Sequence, residues 1–120
     1  MTTQAGKTHA GIGILATALL LLVLTALALP AMARADAAAG AALYKEKCIG
    51  CHAADGSGNA PMGKALKAGD LRKPEIQAKK DAELAASITN GKGKMPAQKG
   101  LSPAQVGQIL DYVRTLGKAK

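Results

Sequence analysis

The chain has 120 residues, with 16 Lys and Arg against 8 Asp and Glu, two tyrosines as its whole aromatic content, and two cysteines. A length of this order sets a single domain, so few cysteines exclude a multi-bridge disulfide framework, and so few aromatics exclude base stacking on nucleic acid despite the basic charge. Alanine is the commonest apolar residue, so the side chains alone fill only a modest core, and a chain of this kind needs a staple, a metal or a cofactor.

The first third differs from the rest. Lys7 is followed by an uncharged run from Ala10 to Ala33, then by Pro30 and the small-residue tracks Ala31-Met32-Ala33 and Ala33-Arg34-Ala35 near its end. A basic start, a long apolar stretch and an A-x-A track read as a secretory signal peptide over residues 1–35, with cleavage after Ala35. The alternative is an uncleaved anchor, because 24 uncharged residues are long enough to span a bilayer core of roughly 30 Å. Cleavage removes Lys7 and Arg34 and no acidic residue, leaving 14 basic against 8 acidic groups, a net charge of +6 on residues 36–120.

From Asp36 to Cys48 the alanines with Leu43, Lys45, Glu46 and Lys47 favour a helix, and Asp36 is placed to cap it. Gly40 is the exception. A mid-helix glycine costs about 1 kcal/mol against alanine, and its position one turn before Tyr44 predicts a close approach by another backbone.

Next comes Cys48-Ile49-Gly50-Cys51-His52, which gathers both cysteines and the one histidine outside the leader into five residues. This is the C-x-x-C-H pattern of covalent c-type haem attachment: two thiols add to the two vinyl groups of one haem, and the adjacent histidine becomes the proximal iron ligand. Three other readings compete. A thioredoxin-like dithiol belongs at a strand-to-helix turn, and no strand run surrounds the motif. A structural zinc site needs four ligands, and outside the leader no further Cys or His completes the set. A Cys48–Cys51 disulfide closes too short a loop to remove much unfolded-state entropy and leaves His52 unexplained.

On this motif, and on the four-residue steps from Gly40 to Tyr44 to Cys48, residues 36–120 resemble a small class I monohaem cytochrome c. The resemblance implies an all-α cytochrome c fold: three to five helices and loops wrapped round one covalent haem c per chain, with the N- and C-terminal helices crossing so that Gly40 and Tyr44 meet Ile109 and Tyr112. It implies haem loading outside the cytoplasm, in agreement with the leader. It also gives Pro61 a role, lending its carbonyl to the second ring nitrogen of His52, a contact that fixes ring orientation and ligand basicity; the alternative is an ordinary turn proline.

Between His52 and Pro61 the Gly-, Ser- and Asn-rich segment reads as a loop. Over 62–80 the pattern predicts short helical pieces around Lys64 to Lys67 and Glu75 to Lys79, the second opened by Pro74. Arg72 is a candidate partner for a haem propionate, with a solvated surface arginine as the alternative. Leu84, Ala85 and Ile88 predict a helix from Asp81 to Asn90, stopped by Gly91. Gly91-Lys92-Gly93-Lys94-Met95-Pro96 reads as an irregular loop and resembles the family's Met-Pro distal loop. Ser102-Pro103-Ala104-Gln105 opens the last helix with a cap, a first-turn proline and a capping-box glutamine. Val106, Ile109, Leu110 and Val113 give that helix one buried face.

The sixth iron ligand comes from Met95, with Met62 and lysine as the competing donors; Met62 directly follows the proximal-side Pro61, whereas Met95 lies on a loop that two helices hold. His/Met ligation leaves no open iron position and raises the potential, which predicts an exported, periplasmic one-electron carrier and not an enzyme. The alternatives are a haem-based ligand-binding or sensing module with an open distal site, a disulfide oxidoreductase, and, with the leader retained, a membrane-anchored cytochrome subunit of a respiratory complex. Lys45, Lys47, Lys92, Lys94 and Lys99 frame the expected haem edge. They predict a monomer that docks on redox proteins through an acidic surface, with an anionic membrane surface as a second partner and no nucleic acid; otherwise they are solvated charge.

Overall fold

The computed structural model describes residues 36–119, so the leader expected over 1–35 lies outside the described residues. Helix α1 covers residues 36–47 and is followed by α2 (Ile49–His52), α3 (Pro61–Leu66), α4 (Pro74–Gln77), α5 (Asp81–Asn90) and α6 (Pro103–Leu116). The only β-type pairing among the described residues is an isolated antiparallel bridge between Lys92 and Met95, so the all-α expectation holds.

Among the described residues six helices form where three to five were expected, and the difference lies in short pieces. The piece expected at Lys64 to Lys67 begins instead at Pro61, whose fixed φ suits the first helical position. Gly63 makes that start fit: a Cβ there would overlap the Cys51 carbonyl oxygen and lie 2.5 Å from the Gly58 oxygen. The second piece starts at Pro74 as expected and stops at Gln77, because Gln77 turns inward, donating through Nε2 to the Leu71 carbonyl at 2.7 Å and the Val113 carbonyl at 3.1 Å. Asp36 is already helical and accepts from Gln108 Nε2 at 3.5 Å.

The core sits where α1, α5 and α6 meet. Tyr44, Ile88, Val106, Ile109, Leu110, Val113 and Leu116 are its buried apolar residues, and the four positions read from α6 periodicity are all among them. The crossing of α1 over α6 depends on Gly40, whose absent Cβ would overlap the Gln108 carbonyl oxygen and stand 3.1 Å from Ile109 N. One turn on, the Tyr44 and Tyr112 rings pack with centroids 5.1 Å apart and planes at 58°, a tilted geometry favoured by the ring quadrupoles. The Tyr44 hydroxyl donates to the Ala53 carbonyl at 2.9 Å, fixing the chain just after the C-x-x-C-H motif. The capping box of α6 is complete, with Gln105 N donating to Ser102 Oγ at 3.2 Å and Ser102 N to Gln105 Oε1 at 2.9 Å.

Arg114 ties the last helix to the middle of the chain. Its guanidinium donates to the carbonyls of Gln77 at 2.7 Å and Lys79 at 2.6 Å and to Asp81 Oδ1 at 2.6 Å. Three orphan acceptors between α4 and α5 are thereby satisfied from α6, where the segment has no ladder of its own.

Candidate haem site

Helix α2 is a single turn that continues α1 across Cys48: Cys48 N donates to Tyr44 O at 2.8 Å, Cys51 N to Cys48 O at 3.2 Å and His52 N to Cys48 O at 2.9 Å. One helical turn therefore carries both thiols and the imidazole. The turn ends at Ala53 with φ 60°, a left-handed position that turns the chain away from His52, and the His52 carbonyl then accepts from Gly58 N at 2.9 Å. Cys48 and Cys51 are not joined to each other by a disulfide. Burial, and secondarily the neighbouring Cys51, pushes the Cys48 thiol up to about 11. A redox-active dithiol needs the opposite shift, so the disulfide-exchange reading loses its chemistry here.

Two adjoining cavities open beside this turn. The larger, about 270 Å³, is lined by Cys51, His52 and Met95 together with Leu66, Leu71 and Ile76, and four lysines stand around it. The smaller, about 80 Å³, lies against the core and is lined by Tyr44, Cys48, His52, Met95, Ile109 and Leu110. His52, Leu71, Ile76, Leu84, Ser87 and Met95 border both, so they are two ends of one slot, and each end reaches one cysteine.

His52 is held from below by its own turn and from the side by the 56–69 loop. Burial lowers its pKa, partly opposed by the backbone at Gly69, which keeps the imidazole neutral as a metal ligand requires. Its Nδ1 is buried with no hydrogen-bond partner, an unsatisfied polar atom of the sort that marks a site built for something else. The hydrogen bond expected from this ring to the Pro61 carbonyl is not formed, and Pro61 is exposed at the start of α3.

Met95 is half-buried against the core. Its loop is pinned by reciprocal bonds between Lys92 and Met95, both 3.0 Å, and by Gln98 N donating to Ile88 O at 2.8 Å. Gly91, at φ 77°, leaves no room for a Cβ, which would lie 2.7 Å from Met95 O. Met62, the competing thioether, is 56% exposed and borders neither cavity. Arg72 is committed elsewhere: its fork grips Asp70 at 2.9 Å through both Nε and NH2, and NH1 reaches Asp55 at 3.1 Å. That is the surface-arginine alternative.

The slot walls also include residues that sequence reasoning passed over. Leu71 and Ile76 stand five positions apart in the polar stretch after α3, where neither helical nor strand periodicity singles them out. Their being the isolated aliphatic residues of that stretch was the available signal. Ser87 lines the slot as well, with its hydroxyl donating to Glu83 O at 3.0 Å.

A slot bordered by both cysteines, the His52 imidazole and the Met95 thioether, with aliphatic walls between them, fits a haem. A family model described as cytochrome c oxidase, cbb3-type, subunit III matches residues 35–113. The chain belongs to the class I c-type cytochromes. The cytochrome is similar to cytochrome c6 of Leptolyngbya boryana, 41% identical over 83 residues that cover 66% of this chain and 91% of that protein. Similarity to cytochrome c6 of Anabaena variabilis is 39% over 87 residues, 72% of this chain and 95% of the relative. The cbb3-type cytochrome c oxidase subunit FixP of Bradyrhizobium sp. (strain ORS 278) is also similar, 39% identical over 87 residues, but there the match covers only 29% of the relative. As a member of this family the cytochrome carries haem c, which supplies one-electron chemistry at iron.

Proposed function

We propose that the cytochrome is an exported one-electron carrier in which Cys48 and Cys51 hold one haem through thioethers, and His52 and Met95 ligate its iron. The carrying observation is that His52 and Met95 border both ends of the same slot while Met62 stands on the surface. In this reading the protein's residues do four things. Cys48 and Cys51 fix the macrocycle to the turn that bears His52. His52 is kept neutral by burial. The pinned 91–98 loop presents a soft thioether whose position changes little with oxidation state, and the aliphatic walls exclude water. His52 and Met95 together would leave the iron no place for a substrate, so the reading is of a carrier and not an enzyme. Pro61 takes the role of acceptor for His52 Nδ1 when the haem is seated. The basic residues around the slot dock an acidic surface on a redox partner.

The test is spectroscopic. The purified exported protein is expected to keep its haem on a denaturing gel and, when ferric, to show the far-red charge-transfer band of thioether-bound iron. Haem extracted intact by acid, or rapid binding of carbon monoxide to ferrous protein at neutral pH, would replace this reading with a ligand-binding module.

A second reading is favoured by the family model and by FixP: a membrane-anchored cytochrome subunit of an oxidase. Among the described residues no helix is long and apolar enough to cross a membrane, so the decision rests on residues 1–35. Intact mass separates the two. A product beginning at Asp36 and free in the periplasm supports the carrier, and a membrane-bound product starting at Met1 supports the subunit.

A further inference from the structure

Residues 73–80 wall the slot through Ile76 and Lys79, yet none of them is buried and no apolar one packs against the core. Helix α4, the one regular piece in the segment, is a single turn. Both ends are fixed: Leu71 packs on the core and its N–H donates to Gly56 O at 2.8 Å, and α5 begins at Asp81. A stretch with so little apolar contact opens at lower cost than the helices behind it. What holds it down is polar and comes from the last turns of α6.

Three features of those turns converge on Gln77. The Val113 carbonyl, among the last four of α6 and so without a partner in that helix, accepts from Gln77 Nε2 at 3.1 Å. Gly117 leaves the space in which this amide lies, since a Cβ there would stand 2.5 Å from Gln77 Cδ. Arg114 answers in the other direction, with Nη1 donating to the Gln77 carbonyl at 2.7 Å and Nη2 to the Lys79 carbonyl at 2.6 Å. Each helix thus finishes the other's C-terminus. The Arg114–Asp81 ion pair adds less, because Asp81 is 72% exposed and water screens such pairs, so the hold rests on bonds to carbonyls.

We propose that residues 73–80 form a strap over the slot, latched by Gln77 and Arg114, that opens as a unit while α1, α5 and α6 stay folded and opens more readily when the iron is ferric. The proposal rests on the haem reading above. Closed, the strap keeps Ile76 at the slot and water out of it. Open, it admits water, which solvates the extra positive charge of ferric iron and so favours that state. By reciprocity, an open form that favours ferric iron is itself favoured in the ferric protein. Arg114 borders neither cavity and acts through the strap as a positioning residue.

Native-state hydrogen exchange on the holoprotein, ferric and ferrous, tests this at the amides of Gln77, Ala78 and Lys79, which donate to carbonyls within the strap. Arg114→Gln is expected to speed their exchange by about tenfold or more, the worth of a charge-assisted hydrogen bond. Gln77→Met, which changes no charge, should act in the same direction. Val106→Ala weakens the core at a residue 3% exposed that borders neither cavity; it should speed exchange within α6 and leave the strap amides at the wild-type rate. In the wild type those amides should exchange faster in the ferric state than in the ferrous. Strap amides that follow Val106→Ala as α6 does, that ignore both latch variants, or that exchange equally in the two oxidation states overturn the proposal. Absence of covalent haem by intact mass in the wild type fails the haem reading itself, whereas attached haem with any of those three results fails only the strap.

Discussion

Gly40→Ala is the sharpest test of the helix crossing that supports the haem turn. On propensity alone the change stabilises α1 by about 1 kcal/mol. Against this, the new methyl carbon would lie 2.5 Å from the Gln108 carbonyl carbon and overlap its oxygen, where unstrained heavy-atom contacts stand at about 3.5–4.0 Å. The obstacle is backbone, so no side chain swings aside and α1 and α6 must part by roughly 1 Å or more. Overpacking of this sort costs about 1–3 kcal/mol. Separation also loosens Tyr44 and Ile109, each 1% exposed, in a core whose full burial is worth about 1.5–3 kcal/mol per large aliphatic side chain. The expected net loss is about 2–3 kcal/mol, which for a domain of this size lowers Tm by about 4–8 °C per kcal/mol. Gly107→Ala is the internal control, because Gly107 lies inside α6 with nothing within 4 Å of the added Cβ, and it should raise Tm by the propensity term alone. Thermal melts of the ferric holoproteins followed by circular dichroism decide it. If Gly40→Ala melts at or above Gly107→Ala, the crossing is not set by backbone contact at Gly40.

Met95→Ala should abolish the far-red band and admit carbon monoxide, whereas Met62→Ala, at a 56% exposed position, should leave both spectra as in wild type; the reverse pattern would move the sixth ligand. Arg72 holds the Asp70 carboxyl down to about 2 from its ordinary value of 3.8, chiefly by side-chain hydrogen bonding. A depressed folded pKa contributes stability that is present above pH 3.8 and is lost as pH falls toward 2. Urea titrations of Asp70→Asn across that range should therefore show a flatter acid limb than wild type, and an identical limb would remove Asp70 from the acid response. Bimolecular electron transfer to an acidic partner should slow as salt rises, since screening lengths fall from about 10 Å at 0.1 M to about 3 Å at 1 M. Lys92→Gln with Lys94→Gln, at two of the lysines bordering the slot, should weaken that dependence without altering the haem spectrum, and a rate indifferent to salt in wild type would mean that the basic face does not dock.

What was legible in the sequence followed from rules acting within a few residues. The α6 capping box, its buried face and the glycine stop after Asn90 are local devices, and each appears in the structure where the sequence places it. Gly40 was legible because an unfavourable residue in a favourable helix points to contact with something outside that helix. The middle of the chain was harder to read. Helices α3 and α4 have six and four residues and no side-chain cap, too short to stand on propensity. Their bounds are set from far away, by the close approach of Gly63 to Cys51 and by Gln77 and Arg114 bonding across to α6 and back. A single sequence carries no periodic trace of such contacts, which is why Leu71 and Ile76 went unremarked and why Pro61, read as a carbonyl partner for His52 or a turn proline, opens a helix.

The distribution of burial explains why this chain manages without Phe or Trp. Among the described residues, every buried large apolar side chain belongs to α1, α5 or α6, and α2 and α4 bury none while α3 buries only Gly63. Yet those three short helices carry the motif and much of the slot wall. The aliphatic residues on and between them, Leu66, Leu71 and Ile76 among them, border a cavity, and only Ile49 and Leu71 of this half also pack against the core, so much of its apolar contact is left to whatever fills the slot. Large aromatic side chains there would compete with the macrocycle for the same volume. Polar pins from Arg114, Gln77 and Tyr44 hold the half in register, and the haem supplies the apolar surface that the composition lacks. Cofactor and fold are in this sense one structure: haem c in the slot would stand where a second hydrophobic core would otherwise have to form.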